Sequence, residues 1–241
     1  MGSFRPGDPV AVSQLFDQIA PRYDQLNDLL SLGLHRVWKR QAIAWLRPRA
    51  GQRLLDLCCG TGDLALVLAE KVRPGGLVLG LDAAAAPLAV AARRAAARPW
   101  LPLQWRQADA LATGLAEGWA DGAVIAYGLR NLSDPGAGLA ELRRLLRAGG
   151  RAAVLDFNRP DPAAGPPLGS SPPCSCLALR HVVVPTAAAA GLRDHYAYLE
   201  ESLRRFPTGA DQERLARLAG FARARHRPLG GGLMGLLELL A

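Results

Sequence analysis

The sequence predicts a doubly wound, Rossmann-like α/β domain, with a mostly parallel sheet that closes in a C-terminal antiparallel hairpin. Three observations carry this expectation. Apolar runs of strand length alternate with stretches of helical periodicity, as βαβ crossovers require. A glycine turn, Gly60-Thr61-Gly62, directly follows the first such run. Two strand-like segments joined by Gly230-Gly231-Gly232 come last.

Taken in order, residues 1–11 lack an apolar signal core and read as a flexible N-terminus. Residues 12–47 have helical spacing, with Leu15, Phe16 and Ile19 one turn apart and Leu26, Leu29 and Leu30 following, and are expected to form a helical lid. Pro48 and Gly51 end it. The first strand is expected over Arg53–Leu57, a helix over Asp63–Lys71, and a second strand over Leu77–Leu81, closed by Asp82. A helix follows over Pro87–Ala97, then strands over Leu103–Gln107 and Gly122–Leu129. A helix over Ala137–Leu146 leads through Ala148-Gly149-Gly150 into a fifth strand, Arg151–Phe157. Residues 160–205 are expected as a substrate-side insertion, beginning with a Pro-, Gly- and Ser-rich loop at 161–173. Helical stretches run to Ala219, and strands at Phe221–Arg227 and Leu233–Leu240 complete a single domain over 12–241.

Composition narrows the classes. Half of the 241 residues are hydrophobic and 21% are charged, which excludes a disordered chain and leaves enough length for a substantial core. The net charge of +8 is almost all arginine, because Lys39 and Lys71 are the only lysines. The arginines are scattered along helices with no basic tail, so nucleic acid is not an expected partner; a solvated face or loose attraction to a membrane surface is. The cysteines, Cys58-Cys59 and Cys174-Ser175-Cys176, lack zinc-site spacing and read as free thiols of a reducing cytoplasm. No metal constellation and no apolar run of spanning length occurs.

The candidate cofactor site begins at Leu54-Leu-Asp-Leu-Cys-Cys-Gly-Thr-Gly-Asp63. Gly60 and Gly62 let the backbone turn sharply close to a ligand, which then meets the free N–H groups of the next helix, with Thr61 between them. Asp56 stands before the turn, where a methionine-type ammonium needs an anion. Asp82 ends the second strand and can accept both ribose hydroxyls. Asp109, followed by Ala110, is placed to accept from an adenine amino group. Acid, Gly-x-Gly, acid, acid in this order favours S-adenosyl-L-methionine. Nicotinamide enzymes use a related turn, and Gly60-x-Gly62-x-x-Ala65 is a tolerated variant of it. Such an enzyme would want a Tyr/Lys or His arrangement downstream, and neither lysine stands near a suitable tyrosine.

Tyr23-Asp24-x-Leu26-Asn27-x-x-Leu30-Ser31-x-x-x-His35-x-x-Trp38, Leu57-Cys-Cys-Gly-Thr-Gly-Asp63 and Tyr127-Gly-Leu-Arg-Asn131 resemble signatures of the ubiquinone/menaquinone-biosynthesis C-methyltransferases. The likeness runs from Val12 to Ala241 and implies the class I methyltransferase fold. Val182-Val-Val-Pro185, Tyr196-x-Tyr198-Leu199, Arg205-Phe-Pro-Thr-Gly209 and Gly231-Gly-x-Met-Gly235 resemble its cyanobacterial branch. That branch methylates 2-phytyl-1,4-naphthoquinol in phylloquinone synthesis, and it implies a cytoplasmic protein at or near a thylakoid membrane face. A menaquinone or ubiquinone precursor, or another small molecule, is the alternative substrate. The chain departs from the family in four alanines after Asp82, in Asp156-Phe-Asn158 where Glu-Phe-Ser is usual, and in the residues 161–179.

Carbon is a poor nucleophile unless an adjacent oxygen donates electrons, so the reduced quinol is the expected acceptor. A phenol titrates near about 10, and the site must favour its anion. Arg130, expected at the end of the fourth strand facing the methyl group, is the candidate for that role, with a structural ion pair as its alternative. Asn131 is a candidate to orient the same hydroxyl or a water; its alternative is a turn residue. Tyr127 is expected to pack beside the cofactor. Tyr23 and His35 are candidate substrate contacts on the lid, His35 with a structural, hydrogen-bonded role as its alternative.

Overall fold

The computed structural model describes residues 34–159 and 201–241. The expected lid up to Gly33, with Tyr23, and the insertion from Pro160 to Glu200 lie outside the described residues. Helix α1 (Leu34–Leu46) leads into β1 (Arg53–Leu57), α2 (Asp63–Lys71), β2 (Leu77–Asp82), α3 (Ala85–Ala96) and β3 (Leu103–Gln107). Then follow β4 (Ala120–Ala126), a 3₁₀ turn (Leu129–Asn131), α4 (Pro135–Leu145), β5 (Leu146–Phe157), α5 (Gly209–Leu218), β6 (Arg223–Leu229) and β7 (Met234–Leu240).

The seven strands form one sheet in the order β3-β2-β1-β4-β5-β7-β6. The four pairings from β3 to β5 are parallel, while β7 runs antiparallel between β5 and β6. The hairpin is thus inserted with its last strand innermost, where Leu236, Leu237 and Leu239 are buried. Alternate strand residues face opposite cores, as the twofold side-chain period demands. Leu55, Leu57, Ile125 and Val154 pack on the side of α4 and α5. Leu54, Val124, Ala153 and Leu155 pack on the side of α1 and α2. Helix α1 buries Trp38, Ala42, Ile43 and Leu46 at helical spacing, and Trp45 Nε1 ties it to the Ala152 carbonyl at 2.9 Å.

Several boundaries differ from expectation, each for a local reason. Strand β4 stops at Ala126 and not Leu129, because Tyr127 adopts φ +61° and turns the chain into the 3₁₀ turn. Helix α4 starts at Pro135, two residues earlier than expected: the Asp134 side chain accepts from Ala137 N at 3.0 Å and Pro135 supplies a preset φ. Strand β5 begins at Leu146, passing Gly149 at φ +73° with a register shift against β4. The hairpin strands sit a residue or two later than expected, at Arg223–Leu229 and Met234–Leu240.

Candidate active site

The loops at the carboxyl ends of β1, β2, β3 and β4 surround a cavity of about 250 Å³. The place is set by topology: β1 sends its crossover to β2 on one side and lies beside β4 on the other, which opens a crevice between the loops. Gly60 N–H donates to Asp82 Oδ2 at 2.8 Å, and Ala84 N–H to Asp82 Oδ1 at 3.0 Å. One carboxylate therefore pins the glycine turn to the start of α3. Helix α3 itself starts without a side-chain cap, at Ala84.

Glycine is required at position 62 by both conformation and space. Gly62 has φ +82°, and a Cβ there would come within 2.6 Å of the Trp105 indole. Trp105 also presses on Gly80, so the indole covers the glycine turn from outside. Because Gly62 offers no side chain to cap α2, Asp56 does so from β1, accepting from Ala65 N at 2.9 Å. Burial raises the Asp56 carboxyl to about 7. At the mouth of α2, Asp63 is held from both sides, by Lys39 Nζ at 3.0 Å and Arg94 Nη2 at 2.8 Å. These cations outweigh the effect of burial and keep its carboxyl below the usual range.

The structure gathers Asp56, Gly60, Thr61, Asp82, Asp109, Ala110, Tyr127 and Asn131 around this cavity. Asp109 also accepts from Leu111 N at 2.9 Å, which shapes the turn after β3. Gly62 does not line the cavity; it supports the turn from behind. Sequence reasoning missed Lys39 and Asp63, and it missed the apolar rim supplied by Leu64, Pro87, Leu111 and Leu132. Asp63 had a signal, an acid on the first residue of a helix; Lys39 had none, because it reaches the cavity only through the packing of α1.

Arg130 and His35 stand outside the lining of this cavity. Arg130 does not face the cavity: it sits in the 3₁₀ turn, 7% exposed, with Nη1 at 2.7 Å from Asp156 Oδ1 and 2.7 Å from the Tyr127 carbonyl. Its backbone N–H donates to Asp156 Oδ2 at 3.1 Å as well. The physical reason is the pairing of β4 with β5, which sets Asp156 behind the turn and draws the guanidinium inward. His35 is buried but lines a neighbouring cleft with Arg36, Arg40 and Arg94, not the cofactor cavity. Asn131 does reach the cavity, with its Nδ2 donating to the Tyr127 carbonyl at 3.0 Å. The motif glycines of the C-terminal third also gain a cause. Gly209 and Gly235 both lie against the His226 imidazole, which leaves no room for a Cβ at either position.

The donor set fits S-adenosylmethionine: carboxylates stand at the ends of β1 and β2 and after β3, a glycine turn leads into a helix, and apolar side chains line the gap between. Fold and site together define an S-adenosylmethionine-dependent methyltransferase. Solved structures of that class share the fold, among them one from Aquifex aeolicus with a TM-score of 0.59 and 16% identity, covering 97% of this chain and 98% of that one. A Haemonchus contortus phosphoethanolamine N-methyltransferase in complex with S-adenosyl-L-methionine matches with a TM-score of 0.59 and 16% identity over 79% of this chain and 38% of its own.

The chain belongs to the ubiE/COQ5 methyltransferase family, whose model matches residues 7–237. A 2-phytyl-1,4-naphthoquinone methyltransferase of Synechococcus elongatus is 46% identical over 234 residues, 97% of this chain and 98% of that protein. One from Nostoc punctiforme is 45% identical over 94% of this chain and 96% of its own. A chloroplastic Arabidopsis thaliana enzyme, 2-phytyl-1,4-beta-naphthoquinone methyltransferase, is 40% identical over 92% of this chain and 84% of its own.

Proposed function

We propose that this methyltransferase acts on the reduced ring of 2-phytyl-1,4-naphthoquinone, giving phylloquinol, and that it takes its lipid substrate at a membrane face. The observation that carries this reading is the 40–46% identity, over more than nine-tenths of the chain, to relatives named for that substrate. The apolar rim of Leu64, Leu111 and Leu132 is consistent with a naphthalene ring entering beside the cofactor.

S-adenosylmethionine supplies an electrophilic methyl group. In this reading the chain's own residues bind and align. Asp82 accepts from the ribose hydroxyls, Asp109 from the adenine amino group, and Asp56 faces the methionine ammonium. Tyr127 and Asn131, held together through the Tyr127 carbonyl, form the wall at the end of β4 against which the ring lies. Alignment of the reacting atoms can lower the barrier by roughly 7–11 kcal/mol, and a sulfonium displacement asks for little more. With the cofactor bound, the phenolate oxygen would push its electron pair through the ring, the ring carbon would take the methyl as its carbon–sulfur bond breaks and S-adenosylhomocysteine leaves, and the ring proton would then pass to water to restore aromaticity.

The test is methyl transfer from labelled S-adenosylmethionine to 2-phytyl-1,4-naphthoquinone, with and without chemical reduction. Transfer to the reduced form alone supports the proposal. Cofactor binding with no transfer to either form would move the substrate to another molecule.

A further inference from the structure

Five acidic or basic side chains line the cofactor cavity among the described residues, and four of them are those of aspartates: Asp56, Asp63, Asp82 and Asp109. The fifth, Lys39, is the one cation there. S-adenosylmethionine carries a carboxylate of its own at the methionine end. A cavity ringed by acids would repel that group unless a positive charge meets it.

We propose that Lys39 binds the α-carboxylate of the cofactor, so that α1 is part of the cofactor site and not only a cover over the substrate. Three observations converge on this. Lys39 lies at the correct end, since its ammonium is 5.8 Å over the Tyr127 ring, bonds Asp63 at the start of α2 at 3.0 Å, and opposes the rise of the Asp56 carboxyl through space. Its side chain is only 14% exposed, so the charge is not there merely to be solvated. Its partner Asp63 is also neutralised from the far side by Arg94 Nη2 at 2.8 Å. Arg94 further anchors the turn through the Thr61 carbonyl at 3.1 Å. An ammonium has three donors, and the bond to Asp63 uses one. Lys39 and Asp56 then form a pair complementary to an amino acid: ammonium for carboxylate, carboxylate for ammonium. The start of α2, whose N-cap Gly62 carries no side chain, adds the favourable end of the helix dipole beside it.

Calorimetry without any methyl acceptor tests this, so the result stands apart from the choice of quinol substrate. The probes are S-adenosylhomocysteine and its decarboxylated analogue, which keeps the amine and the adenosine. Wild type should bind the carboxylate-bearing probe at least tenfold more tightly, about 1.4 kcal/mol. Lys39→Met should remove most of that difference, weakening S-adenosylhomocysteine about tenfold and leaving the decarboxylated probe within twofold. Lys39→Arg should restore it in large part. Equal weakening of both probes would mean that Lys39 only braces Asp63, and an unchanged difference would mean that the carboxylate lies elsewhere; either overturns the proposal. If Lys39→Met does not fold, wild type still decides, because equal affinity for the two probes overturns it.

Discussion

At the scale of single residues, the site shows how burial reassigns charges. Asp56 is 2% exposed, and its carboxyl is raised to about 7 by desolvation, with the Ala65 N–H and Lys39 opposing. The folded group holds its proton more tightly than the unfolded one. Its contribution is therefore intact below the ordinary value of 3.8 and is lost as pH climbs through about 7. The urea stability of the cofactor-free protein should fall more steeply between about pH 4 and pH 7 in wild type than in Asp56→Asn; parallel curves would refute the raised carboxyl. The Arg130–Asp156 pair is buried on both sides, at 6% and 3% side-chain exposure. Removing one partner strands the other charge, so Arg130→Ala should cost about 3–5 kcal/mol in urea denaturation. A loss under about 1 kcal/mol would return Arg130 to a role at the substrate.

At the scale of elements, contacts between neighbours decide what a motif residue is for. The indole of Trp105 on β3 fills the space left by Gly80 on β2 and Gly62 in the turn, so three elements meet on two missing side chains. Gly80→Ala should displace the indole and destabilise by about 1–3 kcal/mol, with an altered tryptophan emission spectrum. Unchanged emission and stability would mean that the indole has room to move. On the other side of the sheet, Glu141 of α4 accepts from Thr113 N at 3.0 Å and Thr113 Oγ1 at 2.6 Å, and pairs with Arg144 at 2.7 Å. Arg144 and Thr113 hold its carboxyl down to about 2. That contribution is present above the ordinary value of 4.5 and is lost as pH falls through about 2. Glu141→Gln should therefore flatten acid unfolding below pH 4 relative to wild type, as followed by circular dichroism.

At the scale of the molecule, the cavity belongs to no single element. Asp82 shows this: its two oxygens accept one N–H from the loop after β1 and one from the start of α3. It thereby joins two βα units at the point where the strand order reverses. Asp82→Ala should reduce cofactor affinity by at least about a hundredfold, because it removes a ribose acceptor and loosens the turn together. Unchanged calorimetric affinity would remove the ribose assignment. The same architecture explains why β7 is buried along nearly all its length: it is flanked on both edges, by β5 and β6.

The sequence by itself determined the class of the fold, the order of its elements, and the acid–glycine–acid–acid string, because strand and helix periods and the glycine turn are local properties of the chain. The start of α4 was just as local, in Asp134-Pro135, although the helix was expected only from Ala137. The tertiary structure alone decided which charges meet. Arg130 and Asp156 are 26 positions apart and touch only because β4 and β5 are neighbours. Lys39 reads along the chain as one more cation on a helix, and it reaches Asp63, 24 positions on, only when α1 is laid on the sheet. Electrostatic partnership depends on distance in space and on exclusion of water, and neither is written into the spacing of residues along a chain.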